Sequence, residues 1–213
     1  MKMMMTNEEK PKNILIYTIS SILTLLGLGI VASKLTNKPK NLSNERIAII
    51  GDSLAVGLSP KLSKIAKEQN IPFFSGGAGG SSIHQWSIGT SIKSWNLKEI
   101  VNSLNAFKPT IVLISLGTND ANGIDSFGSQ VEKTIKTDIE TLLKKVNASV
   151  IWITPPNIKV FNSMPKIRQY IYNAGVPVIE SDKFDIQLGS DGIHPTIEGY
   201  STWANVIWKI LAS

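Results

Sequence analysis

The run Ile47-Ala-Ile-Ile50 constrains the fold more than any other stretch of the chain. Four apolar residues, three of them β-branched, stop abruptly at Gly51, which reads as a buried strand breaking into a tight turn. The pattern recurs. Ile71 to Phe74 gives a short strand, and Thr110-Ile-Val-Leu-Ile-Ser-Leu116 is the most strand-like run in the chain. Ser149-Val-Ile-Trp-Ile-Thr154 follows, stopped by Pro155 and Pro156, and Pro177 to Glu180 is a last strand. Helical spacing fills the intervals. Leu58 to Gln69 sets Leu62, Ile65 and Ala66 on one face, with Pro60 suited to a first turn, and Leu97 to Phe107 carries Ile100, Leu104 and Phe107. Ser129 and Glu132 form a capping box ahead of a stripe of Val131, Ile135, Ile139, Leu142 and Val146. Lys166 to Asn173 is helical, and a closing helix turns Tyr200, Trp203, Ile207, Ile210 and Leu211 inward. Strands alternating with helices imply an α/β fold whose parallel sheet is covered on both faces.

In open sheets of this kind ligands bind at the carboxyl edge of the strands, and the polar turns of this chain fall there. Ser53, just past the first strand in Gly51-Asp-Ser53, is a candidate nucleophile. The alternative is an ordinary turn in which Asp52 and Ser53 cap the following helix. Gly117-Thr-Asn-Asp120 is a second polar turn after a strand. Between them Ser75-Gly-Gly-Ala-Gly-Gly-Ser-Ser82 carries four glycines in five residues, which frees the backbone to bring N–H groups close to a ligand. No Gly-Lys-Ser/Thr follows it, and the first turn lacks a dinucleotide fingerprint. Asp191-Gly-Ile-His-Pro-Thr196 places a histidine in a loop ahead of the last helix.

Hydrolysis of an ester at a serine needs a base, a group that orients the base, and donors aimed at the developing oxyanion. His194 is the candidate base, Asp191 the carboxylate that fixes its tautomer, and Ser53 the nucleophile. The Ser53 N–H, a glycine N–H from the Gly76 to Gly80 loop and the Asn119 side-chain amide are candidate oxyanion donors. The chain of 213 residues has no cysteine and only two histidines, His84 and His194. Thiolate metal sites and disulfides are thereby excluded, and a histidine zinc site is disfavoured. The expected chemistry is metal-free.

These blocks together resemble the SGNH, or GDSL-type, serine hydrolases over roughly residues 46–213. Gly51-Asp-Ser-Leu54 is similar to that family's nucleophile block, Gly117-Thr-Asn-Asp120 to its asparagine block, and Asp191-Gly-Ile-His194 to its terminal Asp-x-x-His block. The glycine block has two registers, Gly76-x-x-Gly79-x-Ser81 and Gly77-x-x-Gly80-x-Ser82; Gly79 is the chosen oxyanion donor, Gly80 the alternative. The resemblance implies a flavodoxin-like three-layer α/β/α sandwich, a shallow open site, no cofactor, and an ester substrate. The substrate expected here is an O-acetyl group on a polysaccharide or peptidoglycan. A lipase, lysophospholipase or thioesterase of the same fold is the first rival, and a non-catalytic carbohydrate-binding or assembly module the second. Asp52 and Trp86 are expected to face the substrate, Trp86 by stacking on a sugar ring, with a core position as its alternative.

The amino-terminal part divides into a flank (1–13), an apolar segment (14–33), a polar tether (34–45) and the hydrolase domain (46–213). Ile14 to Ser33 has 20 consecutive uncharged residues, enough helix to span roughly 30 Å of hydrocarbon. An uncleaved membrane anchor is expected, with the domain extracytoplasmic; cleavage after Val31-Ala32-Ser33 would make the protein secreted. Lysines flank the segment on both sides, so orientation is not set by charge. The net charge of +6 comes from six lysines and three glutamates through Glu45, and 16 basic and 13 acidic residues beyond it. No basic cluster interleaved with aromatics occurs, so nucleic-acid binding is not expected.

Overall fold

The structure, a computed structural model, describes residues 41–213. The expected flank, membrane segment and most of the tether lie outside the described residues. Leu42 is buried in the core, so the last residues of the expected tether fold with the domain. Among the described residues no helix is long and apolar enough to cross a membrane.

The chain opens with β1 (Ile47–Gly51), α1 (Ser53–Glu68), β2 (Phe73–Gly77) and the short α2 (Ile83–Ile88). A two-stranded hairpin of β3 (Ser91–Ile92) and β4 (Trp95–Asn96) leads into α3 (Leu97–Phe107) and β5 (Ile111–Ser115). Then come α4 (Thr118–Phe127), α5 (Ser129–Lys145), β6 (Ser149–Ile153), α6 (Met164–Tyr172), β7 (Val178–Ile179) and α7 (Ile197–Leu211). Five strands form one parallel sheet in the order β2-β1-β5-β6-β7. Helix α1 pairs with α7, whereas α2 packs on α5, α5 on α4 and α4 on α6, so helices cover both sides of the sheet.

Burial explains the strand composition. Every residue of β1 and of β5 is buried, as expected for central parallel strands flanked by helices on both faces. Successive strands leave β1 first toward β2 and then, in the other direction, toward β5. That reversal makes a crevice at the carboxyl ends of β1 and β5, the usual ligand position in doubly wound sheets. Gly51 is the residue that lets the chain turn there. Its φ is +151°, and a Cβ on it would lie 1.9 Å from the Ser115 carbonyl oxygen. The same carbonyl accepts the Asp52 N–H at 3.1 Å.

Several elements differ from the sequence expectations. Helix α1 begins at Ser53, well before Leu58, because Asp52 caps it, and Pro60 lies inside the helix. The glycine run partly extends β2 to Gly77. The turn after β5 is in fact the start of α4, and α2 with the β3–β4 hairpin was not expected. The capping box at Ser129 does not form: the N-cap is Gly128, at φ +68°. Glu132 instead accepts from Lys166 Nζ at 3.0 Å and Tyr170 Oη at 2.9 Å. Ile210, expected inward, is exposed.

Gly51→Ala adds both an overlap with backbone and a strained φ. It should lower stability by about 2–4 kcal/mol, read as a lower urea midpoint; a midpoint equal to wild type would show that the β1–β5 crevice relaxes freely.

Candidate active site

Ser53 is the first residue of α1. Asp52 ends β1's turn in an extended conformation and accepts the Leu54 N–H through Oδ1 at 2.9 Å. The Ser53 N–H is one of the free donors at a helix start, where the peptide dipoles favour negative charge.

The histidine arrives from the other end of the chain. Thr196 caps α7 by accepting the Gly199 N–H at 3.0 Å. The preceding loop is pinned by Gly189 N–H to the His194 carbonyl (2.7 Å) and Thr196 N–H to the Gln187 carbonyl (3.0 Å). Ser53 Oγ and His194 Nε2 are 2.8 Å apart, and His194 Nδ1 lies 2.6 Å from Asp191 Oδ2. Asp191 Oδ1 also accepts the Ile193 and His194 backbone N–H groups at 2.9 and 3.0 Å. The hydrogen bond from His194, helped by those two amides, holds the Asp191 carboxyl down to about 2. A carboxylate only accepts, so Nδ1 carries the proton and Nε2 is left to accept from the Ser53 hydroxyl.

The glycine and asparagine turns are tied to the same edge. The Ala78 N–H donates to the Gly51 carbonyl at 2.8 Å, and Ser81 Oγ donates to the Ala78 carbonyl at 2.7 Å. Asn119, in the first turn of α4, donates one amide hydrogen from Nδ2 to the Ser81 carbonyl at 2.9 Å. Its second amide hydrogen has no acceptor among the described residues. Gly79 is half-buried and Gly80 exposed with φ +79°. Neither N–H has an acceptor among the described residues.

Two expected substrate contacts are overturned. Trp86 is completely buried, its Nε1–H donating to Ser81 Oγ at 2.8 Å; it is a core residue that braces the glycine turn. Asp52 is equally buried. Burial, with Asp120 nearby, pushes its carboxyl up to about 7, against the pull of the Leu54 amide and Thr118.

Beneath the edge lies a set of acids that the motif reading did not use. Asp120 is buried and accepts the Ile83 N–H at the start of α2 through both oxygens, at 3.0 and 3.1 Å. Burial pushes it up to about 7, with Asp138 adding to the rise. Asp138 receives Ser87 Oγ–H at 2.6 Å and pairs with His84 Nδ1 at 3.0 Å. One signal for it was available: Asp138 interrupts the apolar face of Ile135, Ile139 and Leu142, where an acid is out of place without a partner. Among the described residues no cluster of three or more acids and histidines is arranged to hold a metal ion.

The parallel sheet of order β2-β1-β5-β6-β7 carries a serine, a histidine and an aspartate hydrogen-bonded at its carboxyl edge, the arrangement that the resemblance to SGNH, or GDSL-type, hydrolases leads one to expect. By sequence the chain belongs to the family described as "Protein of unknown function (DUF459)", matched over residues 46–179. Among curated proteins none matches it. Its fold is similar to that of an acetyl xylan esterase (TM-score 0.58, 19% identity, 78% of this chain and 99% of that one). It is also similar to the Clostridium thermocellum family 3 carbohydrate esterase (0.54, 21%, 79% and 99%). A third likeness is to a protein from Desulfitobacterium hafniense described as lipolytic and of the G-D-S-L family (0.56, 17%, 78% and 99%).

The buried acids set a pH dependence. Asp52 and Asp120 titrate higher in the folded than in the unfolded chain, so folding favours their protonated forms. That stabilisation is complete below about pH 4 and is lost as pH rises through about 7. The urea midpoint should therefore fall between pH 5 and pH 8, and Asp120→Asn should fall less. Equal midpoints at both pH values would contradict the assignment.

Proposed function

We propose that the protein hydrolyses carboxylic esters through an acyl-Ser53 intermediate. The hydrogen-bonded relay Ser53–His194–Asp191, at 2.8 and 2.6 Å, carries this reading. Ser53 Oγ attacks the acyl carbon while its proton passes to His194 Nε2, and Asp191, ionised throughout, stabilises the imidazolium. The oxyanion is received by the Ser53 N–H, the Gly79 N–H and the free Asn119 amide hydrogen. His194 then protonates the departing alkoxide. In the second half a water gives its proton to His194 and attacks the acyl carbon, and His194 returns that proton to Ser53 Oγ as the acid leaves.

For the substrate we propose an O-acetyl group on a polysaccharide or peptidoglycan. The exposure of His194 and Asp191, with 43% and 48% of their side chains accessible, supports a bulky substrate approaching an open site. Similarity in fold to carbohydrate and acetyl xylan esterases points the same way. The apolar segment 14–33 would hold the domain at a membrane, on the extracytoplasmic side where such polymers lie. A rival reading, a longer acyl ester, is favoured by exposed Val160, which lies against Gly192, and exposed Ile197.

Ser53→Ala should abolish hydrolysis of p-nitrophenyl acetate and labelling by a fluorophosphonate probe while leaving the thermal midpoint near wild type. Retained turnover would refute the nucleophile. Asn119→Ala should lower kcat about 10²–10³-fold with KM little changed, as for a donor used in the transition state; a change confined to KM would remove Asn119 from the oxyanion site. A p-nitrophenyl series preferring octanoate over acetate would replace the acetyl reading by its rival.

A further inference from the structure

A cleft of about 730 Å³ opens between α2, α4 and α5 on the Asn119 side of the site. Asn119 and Gly80 line it, whereas Ser53 and His194 do not. It therefore adjoins the reacting centre without containing it. Its size matches that of ordinary ligand sites and far exceeds an acetyl group.

Three features define what it can hold. Phe127, the last residue of α4, is 76% exposed and lines the cleft. The left-handed Gly128 that follows, with open space around it, breaks α4 from α5 and leaves the ring uncovered. His84 presents a fixed hydrogen-bonding edge. The buried Asp138 carboxylate, itself held by Ser87, takes the His84 Nδ1–H, and Nε2 has no partner among the described residues. Gln85, Asn122, Gln130 and Thr134 supply further donors and acceptors in the cleft lining. Gln85 commits only Oε1, to the Ser82 N–H, in the capping box of α2.

Val131 and Ile135 also line the cleft, but an uncovered aromatic ring beside groups that both donate and accept is the chemistry that recognises a sugar ring: C–H faces stack on the aromatic, and hydroxyls pair with the polar groups. A pocket for a fatty acyl chain would be closed and aliphatic. We infer that this cleft is a saccharide subsite, with Phe127 as stacking platform and His84 as oriented hydrogen-bonding partner, that binds a sugar unit beside the one carrying the ester. The inference rests on the ester-hydrolase reading and makes the enzyme selective for oligomeric over monomeric acetylated sugars.

The test uses Ser53→Ala, which cannot turn substrate over, in calorimetric titrations with xylo-, cello- and chitotetraose and with their monosaccharides. At least one tetraose should bind ten or more times tighter than its monosaccharide. Phe127→Ala and His84→Ala in the same background should each remove most of that gain. Phe127 is exposed, so its truncation leaves folding intact; the thermal midpoint checks this. No tetraose gaining over its monosaccharide, or a gain that survives both substitutions, overturns the subsite. So does a shift of the active enzyme's p-nitrophenyl ester preference between acetate and octanoate on Phe127→Ala, which would make the cleft an acyl site. Failure of the hydrolase reading registers separately, as absent fluorophosphonate labelling of wild type.

Discussion

The close approach of α1 and α7 decides whether this molecule has a site at all. Ser53 and His194 are 141 residues apart and meet only because the helices that begin at or just after them pack together. Gly57, one turn into α1, makes the approach possible. A Cβ there would fall 2.1 Å from Tyr200 Cζ, inside the ring that α7 lays across it. Tyr200 in turn stacks on Trp203, whose Nε1–H is anchored on Ser181 Oγ at 2.8 Å. The His194–Asp191 pair needs no such support. Both residues belong to one turn whose amides Asp191 itself accepts, so imidazole and carboxylate move as a unit. The geometry thus separates into a locally closed pair and one long-range distance, and the packing of two helices controls only the second.

A second constraint lies below the edge. Asp52 and Asp120 follow the carboxyl ends of neighbouring strands and are both wholly buried. Burying carboxyls costs free energy unless their oxygens find donors, and here the donors are helix starts: Leu54 N–H for Asp52, Ile83 N–H for Asp120. Each acid therefore fixes where a helix begins relative to the sheet. Asp52 does this for the helix that carries Ser53, and Asp120 for the helix that carries His84. The cost of burial appears as carboxyl groups that hold their protons to about pH 7.

Much of this was legible in the sequence, for identifiable reasons. The β1 and β5 strands announce themselves because a doubly covered parallel strand must be apolar throughout, and the Ser53, Asn119 and Asp191-x-x-His194 blocks because the first turn of a helix or a loop at a sheet edge has little packing reason to hold them. Short elements were not legible. Six residues of α2 hold too little periodicity to be read, and its start depends on Ser82, Gln85 and a distant aspartate. Trp86 misled because an aromatic next to a glycine loop suggests a ligand, whereas here its indole is wholly buried and holds the loop through Ser81. Asp52 misled for the opposite reason: a polar residue adjoining the nucleophile faces the core, because extended backbone before a helix turns alternate side chains in opposite directions.

The Ser53–His194–Asp191 relay and the cleft occupy different parts of the fold, and this has a consequence for how such a scaffold can change. The relay sits on β1, α1 and the loop before α7; the cleft is formed by α2, α4 and α5. Asn119 links the two, since it lines the cleft and donates one amide hydrogen to the Ser81 carbonyl beside the glycine turn. Residues such as Phe127, Gln130 and Thr134 can therefore be exchanged without touching the Ser53–His194 distance. A substitution at Ser81 or Trp86 reaches the catalytic edge by another route, because Trp86 donates to Ser81 and the Ser81 carbonyl holds the Asn119 amide. Selectivity is expected to be labile at the cleft's outer rim and rigid at its inner end, where Asn119 and Gly80 line the cleft next to the Ser81 carbonyl and the Trp86 brace.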